Sequence, residues 1–161
     1  MEFDLTWQWR SFTELSVHEL YRILQLRQRV FVVEQQSLYL DVDGYDDKAW
    51  HRLGWQTTHD GDPVLVAYAR IFPAGIKGSD ASFGRVITDS AVRGKGIGKT
   101  LVADAIVQCE QLSSGCSIRI QAQCYLEQFY ADFGFTRVSD PYDEDGIAHV
   151  DMMRPPSFSN T

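Results

Sequence analysis

The chain reads as one α/β (α+β) domain built on a central mixed, mostly antiparallel sheet with helices on both faces. Three observations predict it. A strand-like run at 83–88 meets a glycine-rich turn, Arg93-Gly94-Lys95-Gly96-Ile97-Gly98-Lys99-Thr100, which opens onto a helix-like run from Leu101 to Leu112. Two strand-like runs, 51–57 and 63–72, flank Asp60-Gly61, a hairpin signal. Read end to end, the apolar spacing gives the order β-α-β-β-β-α-β-α-β-β. Hairpins mixed with β-α-β crossovers imply a mixed sheet.

Each element has its own warrant. Phe3, Leu5, Trp7 and Trp9 alternate with polar residues, as in a half-buried first strand. Ser16-Val17-His18-Glu19 spells a capping box, in which hydroxyl and carboxylate each satisfy the other residue's orphan N–H. It opens a helix whose apolar stripe takes in Leu20, Ile23, Leu24 and Phe31. Residues 35–50 are irregular and rich in aspartate, and a Gly- and Pro-containing loop precedes the strand at 82–88. After the glycine turn and its helix come a short strand, Ser117–Ala122, and a short helix, Tyr125–Phe133. Strands near 135–139 and 147–153 then flank an acidic loop. Residues 1–154 form the domain, and 155–161, opening Pro155-Pro156-Ser157, form a flexible tail.

Composition narrows the function. A chain of 161 residues suffices for one compact domain that buries roughly 70% of its unfolded surface. A net charge of −7 argues against nucleic acid as the main partner, because phosphate backbones call for a basic face. No apolar stretch approaches the ~20 residues a membrane span needs. The start, Met1-Glu2-Phe3-Asp4, is acidic where a secretory signal is basic, so a cytoplasmic address is expected. Cys109, Cys116 and Cys124 are odd in number and lack metal-ligand spacing, which predicts reduced thiols and no metal. Against this acidic background Arg93, Lys95 and Lys99, with Arg85 just before them, make a basic spot suited to a small polyanion.

Strand, glycine turn and helix together build a phosphate cradle: glycines admit close approach, and the helix start supplies unpaired N–H groups. The spelling selects which cradle. A Walker loop requires glycine where Arg93 stands, and a dinucleotide fingerprint opening at Gly94 requires glycine where Lys99 stands. The pattern [RQ]-x-x-G-x-[GA] is met in full by Arg93, Gly96 and Gly98. On that motif, and on an element order that matches over nearly the whole chain, the sequence resembles the GNAT acyl-CoA N-acyltransferases. The resemblance implies acetyl-CoA as acyl donor. It implies that Val86 and Ile87 pair through their main chain with the pantetheine arm. Arg93, Gly94, Lys95, Gly96, Ile97 and Gly98 would hold the pyrophosphate, with charge added by Lys95 and Lys99.

A second motif, Phe129-Tyr130-Ala131-Asp132-Phe133-Gly134-Phe135, resembles the GNAT segment whose tyrosine protonates the departing thiolate, which points to Tyr130. The alternative is that its aromatics are core. Cys124 as an acylated nucleophile is weighed against a small buried thiol, and the thiol is preferred because no histidine is near in sequence. Arg27–Gln35, Asp41–Asp47 and Glu144–His149 together resemble the ElaA-type branch of the family. In this reading the acidic stretch receives a cationic amine, with Glu34, Asp43, Asp46 and His51 as substrate-binding candidates. Clustered acids also raise one another's pKa and so prepare a base. Glu34 is the first candidate base and His149 the second, since imidazole titrates near neutrality. The competing reading makes the aspartates turn formers. The expected activity is transfer of acetyl from acetyl-CoA to a primary amine, and a homodimer is common in the family. The alternatives are a non-catalytic acyl-CoA sensor and an acyl-homoserine-lactone synthase, which shares the Arg-x-x-Val-Phe segment.

Overall fold

The structure is a computed structural model that describes residues 4–157. Phe3 of the expected first strand and residues 158–161 of the expected tail lie outside the described residues. Chain order is β1 (Thr6–Ser11), α1 (Val17–Arg27), β2 (Trp50–Thr57), β3 (Pro63–Phe72), β4 (Ser82–Thr88) and α2 (Ile97–Leu112). It continues with β5 (Ile118–Gln123), α3 (Glu127–Ala131), β6 (Thr136–Arg137), β7 (Tyr142–Glu144) and β8 (Ile147–Arg154). Two four-stranded sheets result, one ordered β1-β2-β3-β4, the other β5-β8-β6 with β7 also on β8. Parallel pairing comes from a bridge, Ala81 to Ile118, in which Ala81 N–H donates to Ser117 O (3.1 Å) and the Ala81 carbonyl accepts from Arg119 N (2.9 Å). By compactness the chain divides into two units: residues up to Arg70 with Arg85–Ala105, and Ile71–Gly84 with residues from Ile106 onward.

In the first unit, the Ser16 box forms as spelled. Ser16 N–H donates to the Glu19 carboxylate (2.9 Å), and Glu19 N–H donates to the Ser16 hydroxyl (3.0 Å). Ile23 and Leu26 of α1, with Val30 beyond it, bury one stripe against Leu53, Trp55, Leu65, Tyr68 and Ile87. Phe31 packs at the edge of that cluster but outside α1. From Gln28 to Glu34 the helix widens into a π turn, closed where Gln35 N–H reaches Val30 O at 3.1 Å. α2 begins at Ile97, four residues before the expected start at Leu101. Left-handed Gly94 and Gly96 (φ +80° each) finish the turn early, and Thr100 returns both its N–H and its hydroxyl to Gly96 O.

β1 and β2 pair antiparallel, with Trp7 opposite Gly54 and Trp9 opposite Arg52. The Arg52 guanidinium lies 5.1 and 4.8 Å from the two indole rings and donates to Asp104 at 2.8 Å. Gly54 gives the Trp7 ring its room. A Cβ there would stand 2.8 Å from the indole and 2.9 Å from the Ala67 methyl.

In the second unit, Phe83, Phe129, Tyr130, Phe133 and Phe135 form one aromatic cluster, with ring centroids 5.1 to 6.4 Å apart in the contacting pairs. The expected helix at 125–133 divides into a 3₁₀ turn, Cys124–Leu126, and α3, and the chain leaves α3 through left-handed Gly134 (φ +90°). The acidic loop contains a strand the sequence reading lacks. Asp145 and Gly146, both at positive φ, fold β7 back on β8 with Glu144 opposite Ile147. Among the described residues no helix is long and apolar enough to cross a membrane.

Gly54→Val is expected to lower the urea midpoint by the equivalent of roughly 1–3 kcal/mol, because the Ala67 methyl cannot yield without moving β3 and the indole must swing out of its place. Unchanged stability would contradict the packing described.

Candidate functional site

β4 ends the first sheet, so one edge of its backbone has no strand of that sheet beside it. Ile87 anchors β4 by burying its side chain in the core, while Val86 is half-buried. The chain then turns through Asp89, whose carboxylate accepts from Ala91 N (3.0 Å), into the glycines and α2. The first N–H groups of a 16-residue helix open here, at Ile97, Gly98 and Lys99. A Cβ placed on Gly94, Gly96 or Gly98 meets nothing within 4 Å among the described residues, which leave that space empty. Backbone geometry accounts for Gly94 and Gly96, which have positive φ. Gly98 is helical, and nothing in the protein requires it to be glycine; a ligand seated against the helix end would.

Two ion pairs tie the π turn to this region. Arg29 meets Asp89 at 2.6 Å, and Glu34 meets Arg93 at 2.8 Å. Arg93 also donates to Thr88 O at 3.0 Å, so its guanidinium spans the turn. Lys95 and Lys99 are exposed beside it. The candidate base Glu34 and the candidate phosphate ligand Arg93 are thus brought into direct contact.

The aspartate stretch is organised differently. Arg27, fully buried, donates to Asp41 Oδ2 (2.9 Å), to the Asp41 carbonyl (2.7 Å) and to Asp46 Oδ1 (2.6 Å). Arg70 on β3 takes Asp43 through both carboxylate oxygens (2.8 and 2.5 Å) and reaches Asp46 Oδ1 at 3.0 Å. Arg85 on β4 donates through Nε to Asp41 Oδ1 at 2.8 Å. The chain's own arginines therefore meet the charges of Asp41, Asp43 and Asp46. Arg85, grouped by sequence with the basic spot, is engaged here. Burial alone would raise the Asp43 carboxyl. Arg70, the Tyr45 N–H and Arg85 outweigh it and hold that carboxyl well below the usual carboxylate range. At Asp43 this reverses the expected upward shift.

His51 is fully buried against the same cluster. Its Nε2 lies 2.9 Å from Asp46 O, which can only accept, so Nε2 carries the proton and Nδ1 accepts from the Tyr68 hydroxyl at 2.6 Å. Burial pulls its pKa down. Asp46 and His51 are thus enclosed, whereas Asp43 remains half-buried. Arg85 carries the one backbone irregularity that bears on β4. It is left-handed (φ +51°) within a strand, a conformation costing a non-glycine residue on the order of 1–3 kcal/mol. No local spelling marks that kink; only the adjacent Gly84 hints at it.

In the second unit, Tyr130 is buried in the aromatic cluster, and burial pushes its phenol up to about 12, so it stays protonated at neutral pH. His149 on β8 places Nδ1 2.8 Å from Ile147 O; since a carbonyl only accepts, Nδ1 carries the proton. Its ring stacks on Tyr142 at 6.1 Å, and the Tyr142 hydroxyl donates to Asp151 at 2.5 Å. Cys124 is half-buried. Among the described residues no group of His, Cys, Asp and Glu is arranged to hold a metal ion.

Asp43 and His51 make stability acid-sensitive in two steps. The folded His51 value lies below 6.5, so its contribution is full above that pH and is lost as the pH falls further. Asp43 acts likewise below 3.8. The urea midpoint of the native chain should fall as the pH drops below 6.5, and His51→Gln should flatten that limb. An equal slope in both proteins would exclude His51 as its source.

Residues 55–154 match the acetyltransferase (GNAT) domain. ElaA of Escherichia coli is 40% identical over 152 residues, covering 93% of this chain and 96% of that protein. Its crystal structure matches with a TM-score of 0.84 over 94% of this chain and 99% of that one. An acyl-CoA N-acyltransferase from Pseudomonas aeruginosa is 36% identical, with a TM-score of 0.85 over 94% of this chain and 99% of its own. A Synechocystis relative is 43% identical over 150 residues, covering 93% of this chain and 95% of that protein.

Proposed function

The chain belongs to the GNAT family of acetyltransferases, in its ElaA-type branch, and on that premise we propose that it transfers acetyl from acetyl-CoA to a primary amine by direct attack. The observation that carries this reading is the turn before α2. Two left-handed glycines, an open helix end and a vacant approach at Gly98 suit a diphosphate.

In this reading Arg93, Gly94, Lys95, Gly96, Ile97, Gly98 and Lys99 hold the pyrophosphate. Val86 and Ile87 offer the free edge of β4 to the amides of the pantetheine arm, as an added strand would be met. A backbone N–H of that edge polarises the thioester carbonyl, so charge developing on oxygen is stabilised where it forms. The amine nitrogen forms its bond to the carbonyl carbon and the carbon–sulfur bond breaks. Tyr130 gives its proton to the leaving sulfur, a role that suits a buried phenol held neutral. Glu34 takes the proton the amine loses. It is engaged by Arg93 at 2.8 Å, and the donor's phosphates free it by taking over that guanidinium. His149 is the second candidate for this step. Asp43, Asp46 and His51 act on the acceptor side through the loop they shape, since arginines already meet the two carboxylates and burial encloses the imidazole. A cytoplasmic address, residues 1–154 as the functional domain, acetyl as the preferred acyl group and a homodimer complete the reading, with neither metal, nucleic acid nor membrane taking part.

Free-thiol release from acetyl-CoA across a panel of primary amines tests the activity directly. Tyr130→Phe should cut kcat by about a hundredfold while CoA binding stays within a factor of two or so. Equal loss of binding would make Tyr130 a core residue only. Gly98→Leu should weaken CoA binding at least about tenfold without lowering Tm, because the protein leaves that space open. Tight CoA binding by that variant would remove the turn from the site.

A further inference from the structure

Arg85 keeps a left-handed conformation in the middle of β4 although its residue type disfavours it. Something must hold it there. Its Nε donates to Asp41 Oδ1 at 2.8 Å, and its terminal nitrogen reaches the Asp41 carbonyl at 3.3 Å and Asp43 at 3.5 Å. The guanidinium also lies over the rings of Tyr39 (5.3 Å) and Phe31 (5.8 Å). Asp41 is itself held at several points. Buried Arg27 grips both its carboxylate and its carbonyl, and the Tyr39 hydroxyl donates to its other oxygen at 3.1 Å. A chain of contacts therefore runs from buried Arg27 in the last turn of α1, through Asp41, to the half-buried guanidinium of Arg85.

We infer that Asp41 is a positioning residue: through the Arg85 guanidinium it holds β4 in the left-handed kink that aims the strand's outer edge. A left-handed residue breaks the alternation of N–H and C=O along a strand, so groups that would face opposite edges are turned to one. Ile87, locked in the core two residues on, keeps the rest of β4 in register. The kink is thus set from the side chain, and the strand's own pairing fixes the residues beyond it. That this edge meets the acyl donor rests on the function proposed above. The conformational part does not.

Two arms test the inference. In labelled protein, the Cα chemical shift and HN–Hα coupling of residue 85 report its φ without any substrate. Asp41→Asn should move both from left-handed to extended values, and kcat should fall about ten- to hundredfold with a smaller change in KM for acetyl-CoA. Left-handed values retained in folded Asp41→Asn would overturn the inference. The second arm does not depend on that variant folding. In an ordinary strand position alanine is better tolerated than glycine. Here Arg85→Gly, which enters the left-handed region freely, should bind CoA at least about fivefold tighter and turn over faster than Arg85→Ala. Alanine equal to or better than glycine, with both folded, would also overturn it. Absence of turnover in the parent chain with any amine would count against the proposed function and leave the shift and CoA-binding arms readable.

Discussion

Three aspartates and three arginines, most of them out of contact with water, are the constraint on which the first unit depends. Removing an ion from water costs several kcal/mol even after relaxation, and mutual attraction offsets this only when charges balance and hydrogen bonds are complete. Asp41, Asp43 and Asp46 against Arg27, Arg70 and Arg85 balance in charge, and every carboxylate is held by at least one guanidinium. Such a cluster need not be more stabilising than an apolar core of equal volume. Its value is directional. Each guanidinium has a fixed fork, so the end of α1, the loop at 41–47, β3 and β4 are set at defined angles as well as packed together.

The same unit contains a second kind of ion pair. Glu34 and Arg93 meet on the surface, where a pair is worth about 0–1 kcal/mol and yields to salt or to a competing anion. The buried pairs set the frame, and the exposed one is exchangeable. On the function proposed above, an acidic chain that takes a polyanionic donor gains from this division. Arg93 of the basic turn is partly neutralised by Glu34, while Asp41, Asp43 and Asp46 are committed to their own arginines.

What the sequence made legible is local. Ser16 and Glu19 lie three residues apart, Asp60-Gly61 announces its own turn, and the glycines before α2 spell their conformation. Asp145-Gly146 carries the same hairpin signal and discloses β7 once the flanking residues are given strand weight. The ion cluster joins residues 14 to 44 apart, and charge patterning shows that acids and arginines exist without showing which meet. Glu34 and Arg93 are 59 apart. The loop also inverts the usual pattern: Ser37 and Asp41 are buried while Leu38, Leu40 and Val42 face outward. Period-two reasoning assigns such a segment the wrong inner face. The π turn at 28–34 has no sequence mark, because one extra residue per turn alters no apolar spacing that a short window can resolve.

β4 lies at the end of its sheet. An uncovered strand border is a template onto which any other extended chain, including a sister molecule, can zip, and long flat borders are where fibrils nucleate. The bend at Arg85 interrupts that template midway, so a neighbour can register with only a few residues before the pattern fails. If that border takes an extended guest, as the proposed function has it, the same kink that shapes it is a guard against pairing with a second copy.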